Sequence, residues 1–195
     1  NKLLGSFGKE EATQNELGWK GSLNEGKTSV AIAYFDIDYK DRAFQVVAPN
    51  PGGPGLIEYV TNIGDSEQNG LELEVAMKAT DNLTLSMAAG WVNSDFSEGT
   101  ILADGTDLSG LTPSGTIDNS FLIGADYATT IYDGTDFNLG IQWSYTGQGV
   151  GMPVVGALKN PSYEVFNIQA GFSNGPWDLL ITLDNVFGED YYTDM

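Results

Sequence analysis

The sequence predicts an all-β protein: an antiparallel, up-and-down transmembrane β-barrel with about eight strands in view. Three observations predict it. Apolar and polar residues alternate with a period of two in eight separate segments, as they do when a strand shows one face to each of two environments. The connections between those segments alternate between short and long. No segment reads as a good helix.

The segments are residues 13–23, 28–44, 56–77, 83–94, 119–130, 136–146, 162–172 and 177–187, each rich in β-branched, aromatic or other apolar residues at alternate places. Asn24-Glu25-Gly26 joins the first two, Asp81-Asn82 the third and fourth, Tyr132-Asp133-Gly134 the fifth and sixth, and Asn174-Gly175-Pro176 the last two. These are short connections with the residue chemistry of hairpin turns. Longer connections lie between them, at residues 41–55, 95–118 and 147–161. All seven prolines fall in turns or loops, where a missing N–H costs no ladder bond. This rhythm is that of a membrane barrel, with tight periplasmic turns and long external loops.

The two faces can be read off the alternation. Leu71, Leu73, Val75 and Met77 share one side, and Glu72, Glu74, Ala76 and Lys78 the other. Leu83 through Trp91, taken at odd positions, and Phe137, Leu139, Ile141, Trp143 and Tyr145 repeat the apolar series. Each covers nine residues, close to the about 9–11 that a tilted strand needs to cross hydrocarbon. In a barrel the apolar face meets lipid. Trp19, Trp91, Trp143, Tyr145 and Trp177 are then expected in the aromatic girdles at the lipid interface, and Glu72, Glu74, Lys78, Asn138 and Gln142 are expected to face the lumen. Asp126, Asn167 and Gln169 are further lumen candidates, while Tyr34, Phe35 and Tyr39 lie where both faces carry apolar residues and neither side is favoured. A soluble sandwich gives the same alternation with inside and outside reversed.

Composition narrows the functions. The chain has 195 residues, enough for one unit, with 27 acidic against 8 basic residues and a net charge of −19. Without basic runs to neutralise phosphates, nucleic acid is not an expected partner. Histidine and cysteine are both absent, which removes Ser-His-Asp and Cys-His nucleophiles, disulfides, and zinc sites built on either residue. A carboxylate pair of the glycosidase kind is the catalytic arrangement left open. The start carries no secretion signal, so a mature form or a fragment is expected. The longest uncharged run, residues 137–158, contains five glycines and Pro153 and is not a membrane helix.

Other local patterns carry less. Gly147-x-Gly149-x-Gly151 has the wrong spacing for a dinucleotide loop and no helix after it. The acidic stretch from Asp104 to Asp107 does not meet the spacing of a calcium loop. The sequon at Asn82 sits in a predicted turn on the periplasmic side. No cofactor or metal site is expected.

Three stretches, residues 15–42, 59–96 and 163–193, together resemble the C-terminal part of TonB-dependent outer-membrane receptors. The similarity includes Asn62-x-Gly64-Asp65-Ser66-Glu67-x-x-Gly70-Leu71-Glu72-Leu73-Glu74, and Asn185-Val186-Phe187 followed by Tyr191-Tyr192. It implies that residues 1–195 are a single segment of a plugged barrel of about 22 strands, with the plug domain and the final strand expected outside this sequence. It implies a non-enzymatic receptor that takes up a scarce solute such as an iron–siderophore complex, with the TonB protein, outer-membrane lipid and a small-molecule cargo as partners. Two alternatives stay open: a soluble secreted β-sandwich that binds or hydrolyses glycans, and a complete small eight-stranded outer-membrane protein.

Overall fold

The computed structural model describes residues 7–50, 52–102, 105–151 and 159–192. Eight strands form one antiparallel sheet: β1 (Glu11–Leu23), β2 (Thr28–Pro49), β3 (Leu56–Lys78), β4 (Leu83–Phe96), β5 (Asn119–Thr130), β6 (Asp136–Thr146), β9 (Tyr163–Asn174) and β10 (Trp177–Leu183). Their spatial order is β1-β2-β3-β4-β5-β6-β9-β10, each strand beside its predecessor. Two short strands, β7 (Gly149–Val150) and β8 (Lys159–Asn160), pair with each other in the connection between β6 and β9.

The tight turns form as their residues dictate. Asn24, Glu25 and Gly26 all adopt positive φ, and Gly26, at +90°, takes it without a Cβ penalty. At the next turn the Thr80 Oγ1 accepts the backbone N–H of Leu83 at 3.0 Å. Asn82 reaches across to β5 with its side-chain Nδ2 donating to the Ala128 carbonyl at 2.6 Å. Asn174 ties two turns together, donating to the Asp133 carbonyl and to Thr135 Oγ1 at 3.2 and 2.8 Å.

Two boundaries differ from the sequence reading by more than two residues. Residues 41–55 are mostly strand: β2 runs on to Pro49 and β3 starts at Leu56, so that connection is only a hairpin tip. Two register shifts near Arg42 break the alternation there, which hides the strand from a period-two reading. Pro49 accordingly ends a strand, at a position where its missing N–H is tolerated. The last strand stops at Leu183, four residues short of the expected 187, because Asn185 turns left-handed with φ 49°. Its side chain both accepts from the Glu189 N–H and donates to the Glu189 carbonyl, each at 2.9 Å.

The sheet is a single layer with β1 and β10 at its edges. Leu17 of β1 and Trp177 of β10 are each 78 % exposed, so large apolar side chains there have no protein cover. A sandwich would bury one face of this sheet against a second, and a complete eight-stranded barrel would pair β1 with β10. Neither arrangement occurs among the described residues.

Candidate functional site

Residues directly opposite in an antiparallel register share a face, so the pairings define both sides of the sheet. One face carries Leu17, Trp19 and Leu23; Ile32 and Tyr34; Leu71, Leu73 and Val75; Leu85, Met87 and Trp91; Phe121, Ile123 and Tyr127; Leu139, Ile141 and Trp143; Ile168 and Phe172; and Trp177, Leu179 and Ile181. It is apolar across all eight strands. Many of these side chains are exposed, making a surface far larger than the single apolar patches of water-soluble monomers.

Aromatic rings frame this face at two levels. Near the loop end of the sheet, Trp91 meets Phe121 edge-on at 5.3 Å, Phe121 meets Tyr145 at 5.8 Å, and Tyr145 stacks on Trp143 at 6.4 Å. Phe166 continues the row to Phe187 at 5.3 Å. The Trp143 indole N–H donates to Glu164 Oε2 at 2.7 Å, so its polar edge has a partner. Near the turn end Phe137 meets Phe172 at 5.0 Å, with Trp177 opening the next strand. Trp19 lies over Gly21, whose Cβ would fall 2.3 Å from the ring. Phe137 and Tyr145 are eight residues apart on β6, roughly 26 Å along the strand at about 3.3 Å per residue. Tilted by about 40°, that span covers about 20 Å along the membrane normal, the greater part of the about 25 Å apolar band of an outer-membrane barrel.

The upper limit of the apolar face is sharp. The row Tyr34–Leu71–Trp91 is followed by Asp36–Asn69–Asn93 and then by Asp38–Glu67–Asp95 on the same side. Hydrocarbon could cover the first row but not the next two.

The opposite face is polar and finely graded in size. Glu72, Glu74, Lys78, Asn138 and Gln142 all lie on it, as do Asp126, Asn167 and Gln169. Lys78 pairs with Asp81 at 3.1 Å beside the turn. Asp126, Asn138, Gln142, Asn167, Gln169 and Asp184 gather around a shallow hollow of about 380 Å³. Between these side chains stand glycines that alternation alone did not single out. A Cβ at Gly124 would meet Ser86 Oγ at 2.5 Å, at Gly171 the Asn138 amide at 2.5 Å, and at Gly70 the Phe35 ring at 2.4 Å. Each neighbouring side chain thus lies flat where the glycine leaves room. Glycines inside strongly alternating strands were the available signal for this close cross-strand packing.

The register also settles the undecided aromatics. Tyr34 belongs to the apolar face and Phe35 to the polar one, where it is buried over Gly70. Tyr39 shares the polar face with Phe35, and the sequence's single arginine, Arg42, stacks over the Tyr39 and Phe44 rings at 4.6 and 4.9 Å. Arg42 also donates to Ser66 Oγ at 3.0 Å. In the long β4–β5 loop, hydrogen bonds from the Ser109 side chain and then its backbone N–H hold the Asp107 carboxyl below the usual carboxylate range. Asp104, named with it in the sequence reading, lies outside the described residues. No group of three or more potential metal ligands occurs among the described residues.

One apolar face framed by aromatic rows, one polar face, tight turns at one end and long connections at the other define a segment of transmembrane β-barrel wall. A family model described as TonB dependent receptor-like, beta-barrel, matches residues 4–186, and the chain belongs to that family. The ferric yersiniabactin uptake receptor FyuA from Yersinia pestis has a similar fold, with a TM-score of 0.77 at 15% sequence identity over 95% of this chain. The copper transporter OprC gives 0.70 at 19% identity over 94%, and the ferric preacinetobactin receptor BauA from Acinetobacter baumannii gives 0.68 at 16% over 92%. The chain spans 26% of the length of each of these three structures. No curated protein sequence matches it significantly.

Proposed function

We propose that this chain is part of the barrel wall of an energy-coupled receptor, integral to a bacterial outer membrane, that imports a scarce small-molecule solute. The observation that carries the reading is the contrast between the two faces of a one-layer sheet: an exposed apolar band between aromatic rows, backed by a glycine-graded polar wall. Trp19, Trp91, Trp143, Tyr145 and Trp177 sit at the lipid interface. Glu72, Glu74, Lys78, Asn138 and Gln142 line the lumen, where they meet the plug, water or passing cargo. The plug domain and the last strand lie elsewhere in the whole receptor. TonB supplies the energy through the plug, and the cargo is a metal chelate of the iron–siderophore kind. The protein works by binding and passage, with no catalytic step and no resident cofactor.

The test is to extract the native polypeptide with detergent from outer membranes and measure its mass, then compare metal–chelate uptake with and without its gene. A mass several times 20.9 kDa and a loss of uptake on deletion are expected. A freely soluble polypeptide of about 20.9 kDa would overturn the reading.

A further inference from the structure

Among the described residues there is one hydrophobic core cluster, and it lies beyond the apolar band. Ile63 of β3, Phe96 at the end of β4 and Leu108 of the β4–β5 loop are buried together, with Phe44, Leu102 and Leu111 packed against them. Phe96 and Leu108 are only 2% and 1% exposed in a sheet whose other side chains are mostly half-exposed. Phe96 stands opposite Ser66 in a continuous register that also holds Glu72 and Glu74, so the cluster occupies the polar face of the wall. The loop therefore folds over the interior side.

Its backbone is hydrogen-bonded to both strands and to itself. The Phe96 N–H donates to the Leu111 carbonyl and the Phe96 carbonyl accepts from Gly110 N–H, both at 2.9 Å. Leu108 N–H reaches the Thr100 carbonyl at 2.8 Å, and Ser97 N–H reaches the Asp65 carbonyl at 3.0 Å. Thr100 Oγ1 donates to the same Asp65 carbonyl at 3.3 Å. The close approach depends on Gly64, which has φ +138° and where a Cβ would lie 2.9 Å from the Thr100 side chain. Farther along, Ile117 bridges to Gly149, Val150 N–H donates to Thr116 at 3.1 Å, and the next loop is joined to this one.

Segments that open and close are drawn from regions with few buried apolar contacts and few internal hydrogen bonds. This loop has the opposite character. We propose that the β4–β5 loop is a preformed, fixed wall of the barrel mouth rather than a lid, held by the core it shares with the base of the β2–β3 hairpin and in place before any cargo arrives. Calling the place a mouth rests on the receptor reading. The folded-in loop itself does not, so the two can fail separately.

The experiment is hydrogen–deuterium exchange on the intact receptor in detergent micelles, without cargo, for the wild type and for Leu108→Ala. In the wild type, the amides of Phe96, Leu102, Leu108, Gly110 and Leu111 should exchange on the order of a hundredfold or more slower than free peptide. Leu108→Ala should lose that protection at Leu102, Leu108, Gly110 and Leu111 while the amides of residues 71–77 and 83–91 in the apolar band keep theirs. Free exchange of the wild-type loop would overturn the proposal, because a loop that orders only with cargo is a lid. Unchanged protection in Leu108→Ala would overturn it too, since the shared core would not be what holds the loop.

Discussion

Leu73 and Glu72 are neighbours in sequence and opposites in environment. Leu73 lies between Ile32 and Ala89 on the apolar face, and Glu72 lies between Ala33 and Gly90 on the polar one. Leu73→Arg is expected to lower stability in a bilayer by about 2–4 kcal/mol, the cost of a cation near the midplane on the lipid side. Glu72→Arg should change it far less. Denaturant unfolding of the intact receptor in lipid vesicles measures both, and equal losses would contradict the assigned faces. Gly70 makes a second test: its Cβ would lie 2.4 Å from the Phe35 ring and 2.5 Å from the Trp91 carbonyl oxygen. Gly70→Ala should therefore cost about 1–3 kcal/mol in the same assay, and Gly99→Ser, where nothing lies within 4 Å but φ is positive, should cost less. In the β4–β5 loop, the lowered carboxyl of Asp107 favours its ionised form in the fold. Its contribution is complete above the ordinary carboxylate pKa of about 3.9 and is lost as pH falls through the lower folded value. The Ser109 amide, which donates to Asp107 at 2.9 Å, should keep its protection relative to free peptide at pH 5 and lose it only in stronger acid.

Strand lengths are set by two different devices. Between the tight turns and the aromatic rows, alternation runs unbroken, and the expected bounds of β5 and β6 match the structure because nothing interrupts the period. β2 and β3, 22 and 23 residues long in all, continue above the rows past a bulge at Asp41, Arg42 and Gly64 that reverses the face pattern. A reading based on period two stops at such a bulge. The end of β10 is governed by Asn185, whose side chain bonds both backbone groups of Glu189. Asn185→Ala removes both bonds and places a poor left-handed residue at φ 49°, so about 1–3 kcal/mol of local stability should go. Faster amide exchange confined to 185–189 would show it, with β9 unaffected.

Among the described residues the sheet has two open edges, and each edge strand leaves a row of backbone groups without a strand partner. Within hydrocarbon such groups cost several kcal/mol apiece, so in a bilayer both edges have to be paired. Residues 1–195 expressed alone with outer-membrane lipid are expected to give no folded, heat-modifiable band on electrophoresis. Co-expression with the remainder of the receptor should restore one. A compact, protease-resistant barrel from the 195-residue chain alone would show instead that β1 and β10 can close on each other.

The eight strands, the tight turns and the two faces were legible in the sequence because each follows from a local rule: period two along a strand, and Asn, Asp and Gly where φ must be positive. That Trp19, Trp91, Trp143, Tyr145 and Trp177 share the apolar face was legible for the same reason. Their partners were not. Phe121 and Phe166 join the aromatic row only through cross-strand register and Phe187 only through the turn after β10, and Ser86, Asn138 and Phe35 fill the space over particular glycines only once strands are side by side. The long β4–β5 loop was legible only as a long connection, because Leu102, Leu108 and Leu111 follow no strand or helix period. Their common burial against Ile63 and Phe96 depends on contacts between residues far apart in sequence, and such contacts exist only in the folded sheet.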